Sequence, residues 1–254
     1  MSSVISAQEA STERQQEIRD NLGEIAAVVL SANNANGARL VAVSKYKPAS
    51  DILAAYNEGQ RHFGENYVQE LCEKVPMLPE DIKWHFIGSL QSNKCKVLAG
   101  IPNLWAVETI DSEAKAYKMN EAWENAGHKH RLNVFVQVNT SGEENKGGVE
   151  KHDVVQVARA VHESCKSLNL LGLMTIGSVE GSHKRPNPDF LALVNLRDQI
   201  KAELGGDDLE LSMGMSDDFE HALELGSTNV RVGSSIFGSR APKESKKKVS
   251  ADEL

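Results

Sequence analysis

A lysine that closes a run of hydrocarbon side chains is the first residue here whose position could do chemistry. Leu40-Val41-Ala42-Val43-Ser44 delivers Lys45, and Tyr46-Lys47-Pro48 follows. An ammonium group at the end of an apolar strand is costly to desolvate unless it titrates, pairs or reacts. Desolvation lowers an amine's pKa from its usual value of about 10.4 and leaves a neutral nucleophile that condenses with carbonyls to imines. A plain alternative stands beside this one, in which the flexible stem of Lys45 carries its charge out to water. The second signal lies near the other end of the chain. Leu211-Ser212-Met213-Gly214-Met215-Ser216 runs into Asp217-Asp218, and Val230-Arg231-Val232-Gly233-Ser234-Ser235 comes shortly after. Gly214 and Gly233 let backbone amides approach an anion closely, Ser216, Ser234 and Ser235 add hydroxyls, and helix N-termini favour negative charge. The two Gly-Ser clusters therefore point to a phosphate, with simple turn formation as the alternative. Asp217 and Asp218 suit the start of a helix better than a metal ion.

These groups need a scaffold that brings residues 45, 214 and 233 to one end. Short apolar runs at 39–44, 61–64, 84–88, 104–108, 133–139, 170–176, 209–213 and 229–237 read as strands. Between them the apolar spacing is helical, near 50–58, 66–75, 91–99, 111–126, 150–168, 187–204 and 216–225. An opening helix over 7–33 carries Ile18, Leu22, Ile25 and Val29 on one stripe and ends in Asn33-Asn34-Ala35-Asn36-Gly37. Asp111 and Ser216 stand where helix N-caps belong, and Gly59, Gly100, Gly127 and Gly226 where helices end. Strict β/α alternation with buried strands implies a parallel sheet covered by helices. Eight such units close most economically into a (β/α)8 TIM barrel, with the first helix covering its base. The competing doubly wound sheet lacks both G-x-G-x-x-G and a P-loop after any strand. The expected organisation is one domain over 1–254: the helix at 7–33, a barrel over 39–240, and a charged tail over 241–254 with a basic run from Lys243 to Lys248. In a barrel the C-terminal strand ends form the working face, and the loops after strands seven and eight are the usual phosphate site.

Composition narrows the partners. The formal net charge is −8, which argues against nucleic acid or an anionic membrane as ligand. No apolar run approaches the roughly 20 residues of a membrane span, and Met1-Ser2-Ser3-Val4-Ile5-Ser6 lacks the pattern of a signal peptide. A cytoplasmic location, with a mitochondrial fraction as the variant, is the expectation. Cys72, Cys95 and Cys165 are odd in number and far apart, which suits neither a disulfide framework nor a zinc site. The Asn139-Thr140-Ser141 sequon and the Ala251-Asp252-Glu253-Leu254 terminus have meaning only on a secretory route. His62, His128, His130, His152, His162, His183 and His221 show no metal spacing.

A reactive lysine after strand one and a phosphate cradle after strands seven and eight together suggest pyridoxal 5′-phosphate (PLP), whose aldehyde and phosphate lie at opposite ends. The chain also closely resembles the pyridoxal phosphate homeostasis protein family, the single-domain relatives of alanine racemase on the fold-type III barrel. The resemblance rests on Val41–Pro48, Phe63–Glu70, Trp84–Lys94, Gly172–Ile176, Leu211–Asp218 and Val230–Gly238, in order along the chain. It implies that Lys45 forms the Schiff base with PLP and that Ser212, Gly214, Met215, Ser216, Gly233 and Ser234 surround the phosphate. It also implies that Asn66, His85 and Met174 approach the ring, and that Lys47 and Lys146 stand near the mouth. Two departures are small: Ser234 replaces a common Thr, and Tyr46, expected to point away from the cofactor, replaces a smaller residue. Trp84 and Phe86 also fit plain barrel packing, Met213 and Met215 fit core filling, and His85 fits a hydrogen-bonded structural histidine.

By the same resemblance, Arg231 faces either the pyridine nitrogen or the phosphate; at the nitrogen, as the related racemases suggest, it opposes protonation and makes the ring a weaker electron sink. With no second domain to bring a tyrosine base, binding without turnover is expected: a monomeric carrier that keeps PLP as a lysine imine and supplies PLP-dependent apoenzymes. An amino-acid racemase of the alanine-racemase type is the alternative. A phosphosugar aldolase or isomerase on the same barrel comes third.

Overall fold

The computed structural model describes residues 7–32, 37–205 and 209–239. Ser11 caps helix α1 (Thr12–Ser31), its side chain accepting the Arg14 amide, and the helix leads to β1 (Arg39–Val43). Next come α2 (Ala49–Asn57), β2 (His62–Glu65), α3 (Val68–Lys74), β3 (Lys83–Phe86), α4 (Cys95–Ala99) and β4 (Leu104–Ile110). The middle of the chain forms α5 (Glu113–Asn125), β5 (Leu132–Asn139), a short β6 (Val149–Glu150), α6 (Val154–Ser164) and β7 (Leu168–Met174). It ends with α7 (Val179–Ser182), α8 (Pro188–Leu204), β8 (Glu210–Ser212), α9 (Phe219–Glu224), β9 (Asn229–Val232) and α10 (Ser234–Phe237). The strands pair in parallel in the order β1-β2-β3-β4-β5-β7-β8-β9, and β9 returns to β1 through Val41 opposite Arg231. The sheet is therefore a closed eight-stranded barrel, and β6 merely extends β5 at one end.

All eight expected strands form, with four local differences. The run at 229–237 breaks at Gly233, so that Ser234–Phe237 is helical; a continuous strand would have carried Ser234 past the mouth. The cap of α5 is Ser112, which accepts the Lys115 amide, while Asp111 pairs with Lys115 Nζ at 2.6 Å. Asp218 rather than Ser216 precedes α9. Gly100 keeps an ordinary φ of −77°, unlike Gly59, Gly127 and Gly226, which are left-handed. Helix α1 does not cover the base. It lies along the flank against α2 and α10, with Arg14 Nη2 2.6 Å from Asp51 and 2.8 Å from the Phe237 carbonyl. The Asn-rich stretch at 33–36 and the tail from 240 lie outside the described residues.

Between barrel and helices the core is hydrocarbon, and Trp84, Phe86 and Met213 belong to it. The lumen is different. Phe135, Met174 and Ala106 form a small apolar layer, but beside them stand His62, His85, Glu108, Ser212, Asn229 and Arg231. His85 Nδ1 lies 2.5 Å from Glu108 Oε1, and His62 Nδ1 lies 2.8 Å from His85 Nε2. Burial pushes both histidines down, His62 to about 2 with further help from its neighbour His85, so both rings are neutral in the folded barrel. The sign of the pH dependence follows. The unfolded chain takes up a proton at His62 below about pH 6.5 and the folded chain does not until far lower pH, so the stability tied to His62 is full above that value and declines toward acid. Thermal melts should therefore show Tm falling between pH 7 and pH 5. In His62→Gln, which keeps a donor toward His85, that decline should be shallower; an unchanged slope would show that His62 is not held neutral.

Candidate functional site

Lys45 is presented by backbone that is clamped on both sides. Before it, the Ser44 amide donates to the Gly64 carbonyl at 3.0 Å, and the Ser44 hydroxyl donates to Glu65 Oε1 at 2.6 Å. The buried ammonium of Lys74 donates to the Ser44 carbonyl at 2.9 Å and to Glu65 Oε1 and Glu70 Oε1 at 2.6 Å each. After it, the Tyr46 amide donates to the same Glu70 oxygen at 2.6 Å. Tyr46 has φ 63°, a left-handed conformation that is costly for a residue with a Cβ. The Glu70 bond, the Tyr67 ring 5.2 Å away and the contact between the two tyrosine hydroxyls hold it there. Burial raises the Glu65 carboxyl, and the Lys74 ammonium opposes that rise.

Lys45 opens into a cavity of about 360 Å³ at the C-terminal ends of the strands. The wall opposite is built by the turns after β8 and β9. Gly214 has φ 94°, and a Cβ there would come within 2.5 Å of Ala222 Cβ and 2.9 Å of Phe219 Cα, so only glycine fits this turn. The Met215 amide donates to Asp218 Oδ1 at 2.7 Å, and burial raises that carboxyl. The Gly233 amide donates to Ser216 Oγ at 3.3 Å, which ties the two turns together where they meet the cavity. Arg231, only 4% exposed, reaches the wall from β9, with Nη1 2.6 Å from Ser212 Oγ and Nη2 2.8 Å from the Thr175 carbonyl. Burial lowers its pKa, while Glu108 and Asp218 support its charge. Asn66 Oδ1, on a residue that lines the cavity, is buried and has no hydrogen-bond partner among the described residues.

Of the residues singled out in the sequence, Lys45, Asn66, Met174, Met215, Ser216, Arg231, Gly233 and Ser234 all line this one cavity. His85, Ser212 and Gly214 do not. His85 is fully buried in the lumen, Ser212 stands behind Arg231, and Gly214 shapes the turn. Lys47 lines the cavity and donates to the Ser239 carbonyl at 3.0 Å; burial and the nearby Arg14 lower its pKa. Lys146 donates to the Gly177 carbonyl at 2.8 Å and borders a separate small hollow. Tyr46 lies on Tyr67 and does not line the cavity. Sequence reasoning missed the lining residues Ile87, Ile176 and Gly238, and it missed Glu108. A carboxylate inside Leu104-Trp105-Ala106-Val107-Glu108-Thr109-Ile110 was the available signal. Among the described residues no helix is long and apolar enough to cross a membrane, and no three metal-ligating side chains cluster.

Comparison with known proteins agrees with this geometry. Residues 14–241 match the family model of the alanine racemase N-terminal domain. The pyridoxal phosphate homeostasis protein of Schizosaccharomyces pombe is 54% identical over 211 residues, covering 83% of this chain and 87% of that one. The structure of PipY from Synechococcus elongatus with PLP bound superposes with a TM-score of 0.75 at 29% identity, over 87% of this chain and all of that one. Alanine racemase from Corynebacterium glutamicum shares the fold, with a TM-score of 0.68 at 15% identity over 89% of this chain and 62% of its own. By the span of the family match and by this level of identity, the chain belongs to the pyridoxal phosphate homeostasis proteins, built on the alanine racemase N-terminal domain.

Proposed function

We propose that this chain binds PLP in the barrel-mouth cavity, joined to Lys45 Nζ as an imine, and serves intracellular PLP homeostasis by supplying the cofactor to PLP-dependent apoenzymes. The observation that carries the reading is the meeting, around one cavity, of a lysine amine from the turn after β1, a hydroxyl-and-amide cradle from the turns after β8 and β9, and a buried guanidinium. The residues present fit the group. Ser216 and Ser234 offer hydroxyls to a phosphate, Gly233 between them leaves it room with its amide on Ser216 Oγ, Asn66 has a buried oxygen awaiting a donor, and Arg231 can only donate. Bound there, PLP supplies a reactive aldehyde on a pyridine ring. The chain's own residues would bind the phosphate and aim the amine, and Met174 would offer an apolar side chain to the ring. Ile176 and Met215, 45% and 40% exposed, leave the cavity edge open to water, which suits a cofactor that must leave again. The names of the relatives support homeostasis over racemisation. Action in the cytoplasm as a monomer is part of the same proposal.

The covalent attachment is tested by loading the protein with PLP, reducing with borohydride and mapping peptides by mass. The phosphopyridoxyl adduct should fall on Lys45; an adduct chiefly on Lys47 would overturn the assignment. Lys45→Ala should lose the visible imine band and keep its melting transition.

The cradle is tested by equilibrium titration. Each charge-assisted hydrogen bond to a phosphate contributes roughly 1.5–3 kcal/mol, and about 1.4 kcal/mol is a factor of ten in affinity. Ser216→Ala and Ser234→Ala should each weaken PLP binding by about tenfold or more. Pyridoxal, which has the aldehyde and no phosphate, should bind far more weakly than PLP. Comparable affinity for the two ligands would show that the cradle is misassigned.

A further inference from the structure

The lumen holds a charged network that the binding reading does not use. Strand β4 is not a sheet neighbour of β8 or β9, yet Glu108 on β4 reaches across the barrel to both. Glu108 Oε2 accepts the Ser212 hydroxyl at 2.5 Å, and Asn229 Nδ2 lies 3.2 Å from Oε1. A serine hydroxyl has one proton. With that proton on the bond to Glu108, the Ser212 oxygen has only lone pairs left, and it accepts from Arg231 Nη1 at 2.6 Å and from Asn229 Nδ2 at 3.0 Å.

The other side of Glu108 is set by the same logic. A carboxylate only accepts, so His85 Nδ1 carries the ring proton and its Nε2 accepts from His62 Nδ1. Every donor in this network therefore points toward Glu108; Arg231 and the Asn229 amide nitrogen can only donate, and ionised Glu108 sets the direction of the two groups that could turn, the Ser212 hydroxyl and the His85 ring. The balance of charge agrees. Glu108 is 0% exposed and Arg231 4%, and a buried guanidinium requires a compensating anion. The charged groups that bear on Arg231 are Glu108 and Asp218; those that bear on Glu108 are Arg231 and, by its hydrogen bond, His85.

We propose that Glu108 is the positioning residue of this site. Ionised, it holds the Ser212 hydroxyl proton and so turns that oxygen's lone pairs to Arg231, and Ser212 in turn fixes the guanidinium in the cavity wall. The ligand then meets there a donor of constant direction and charge, and must itself present an acceptor. The proposal takes its ligand, PLP, from the reading above, and its first test does not need that ligand.

The test uses Glu108→Gln, which keeps the shape, removes the charge and places donors where only acceptors stood. In unliganded protein, side-chain ¹⁵N NMR should show a slowly exchanging Arg231 Nη signal, assigned by its absence in Arg231→Lys and lost in Glu108→Gln. With PLP, Glu108→Gln should raise Kd by about tenfold and shift the visible band of the bound cofactor, while borohydride still captures Lys45. Ser212→Ala, which cuts the relay and leaves the buried charge, should do the same. The double variant should be no weaker than the worse single one, because both act through one path. A Glu108→Gln protein with a retained Arg231 signal, an unmoved band and a Kd within twofold of the parent would overturn the proposal, even if it melts earlier. If Glu108→Gln does not fold, Ser212→Ala supplies the same readouts, with the same results supporting or overturning the proposal. If the parent takes up no PLP, the binding reading falls, and the NMR comparison still decides the role of Glu108.

Discussion

The constraint on which the rest of the structure depends is a buried charge pair that spans the barrel through one hydroxyl, Glu108 to Ser212 to Arg231. Barrels of this type usually fill their interior with layers of branched hydrocarbon side chains. Here the middle of the lumen is ionic. Such a core gives little net stability, because desolvating two charges costs about as much as their attraction returns. Losing one partner is another matter, since an uncompensated buried charge costs roughly 3–5 kcal/mol. The network therefore acts as a requirement: β4, β8 and β9 must close around it in one register, and the guanidinium at its upper end cannot drift.

A second clamp does the same for the lysine. Lys74, itself buried, gathers the Ser44 carbonyl, Glu65 and Glu70, and Glu70 also takes the Tyr46 amide. The backbone on both sides of Lys45 is thus fixed by charge, and Tyr46 is held in a conformation it would not adopt unaided. The two clamps are independent in sequence and share no residue. What they have in common is the cavity: one sets the amine that enters it, the other the cation in its wall, and the Ser216–Gly233 bond closes the cradle between the last two turns.

Much of this was legible in the residues. β1, β4, β5 and β7 are largely apolar runs, and the other barrel strands are short segments with apolar residues among polar ones. All are set between helical patterns and turn-formers, so strand number and closure followed from pattern. Lys45 and the Gly-Ser turns were legible because their types are unusual at strand ends. The break at Gly233 was not, because Ile236 and Phe237 continue the apolar run and either a strand or a helix can bury them. Glu108 escaped for a different reason. Its partner Ser212 is 104 positions away, and no local rule pairs a carboxylate on the fourth strand with a hydroxyl on the seventh. His85 shows the converse: it stands out by lying at a strand end, and its side chain turns into the lumen, where Glu108 takes it. Family likeness marked His85 and Ser212 as near the cofactor; geometry makes them the layer behind the wall.

The account is most directly tested by a crystal structure of the protein grown with PLP. It predicts continuous density from Lys45 Nζ into the cofactor, a phosphate within hydrogen-bond reach of Ser216, Gly233 and Ser234, and Arg231 still bonded to Ser212 as it is here. PLP attached elsewhere, or an Arg231 that leaves Ser212 when the cofactor binds, would contradict it.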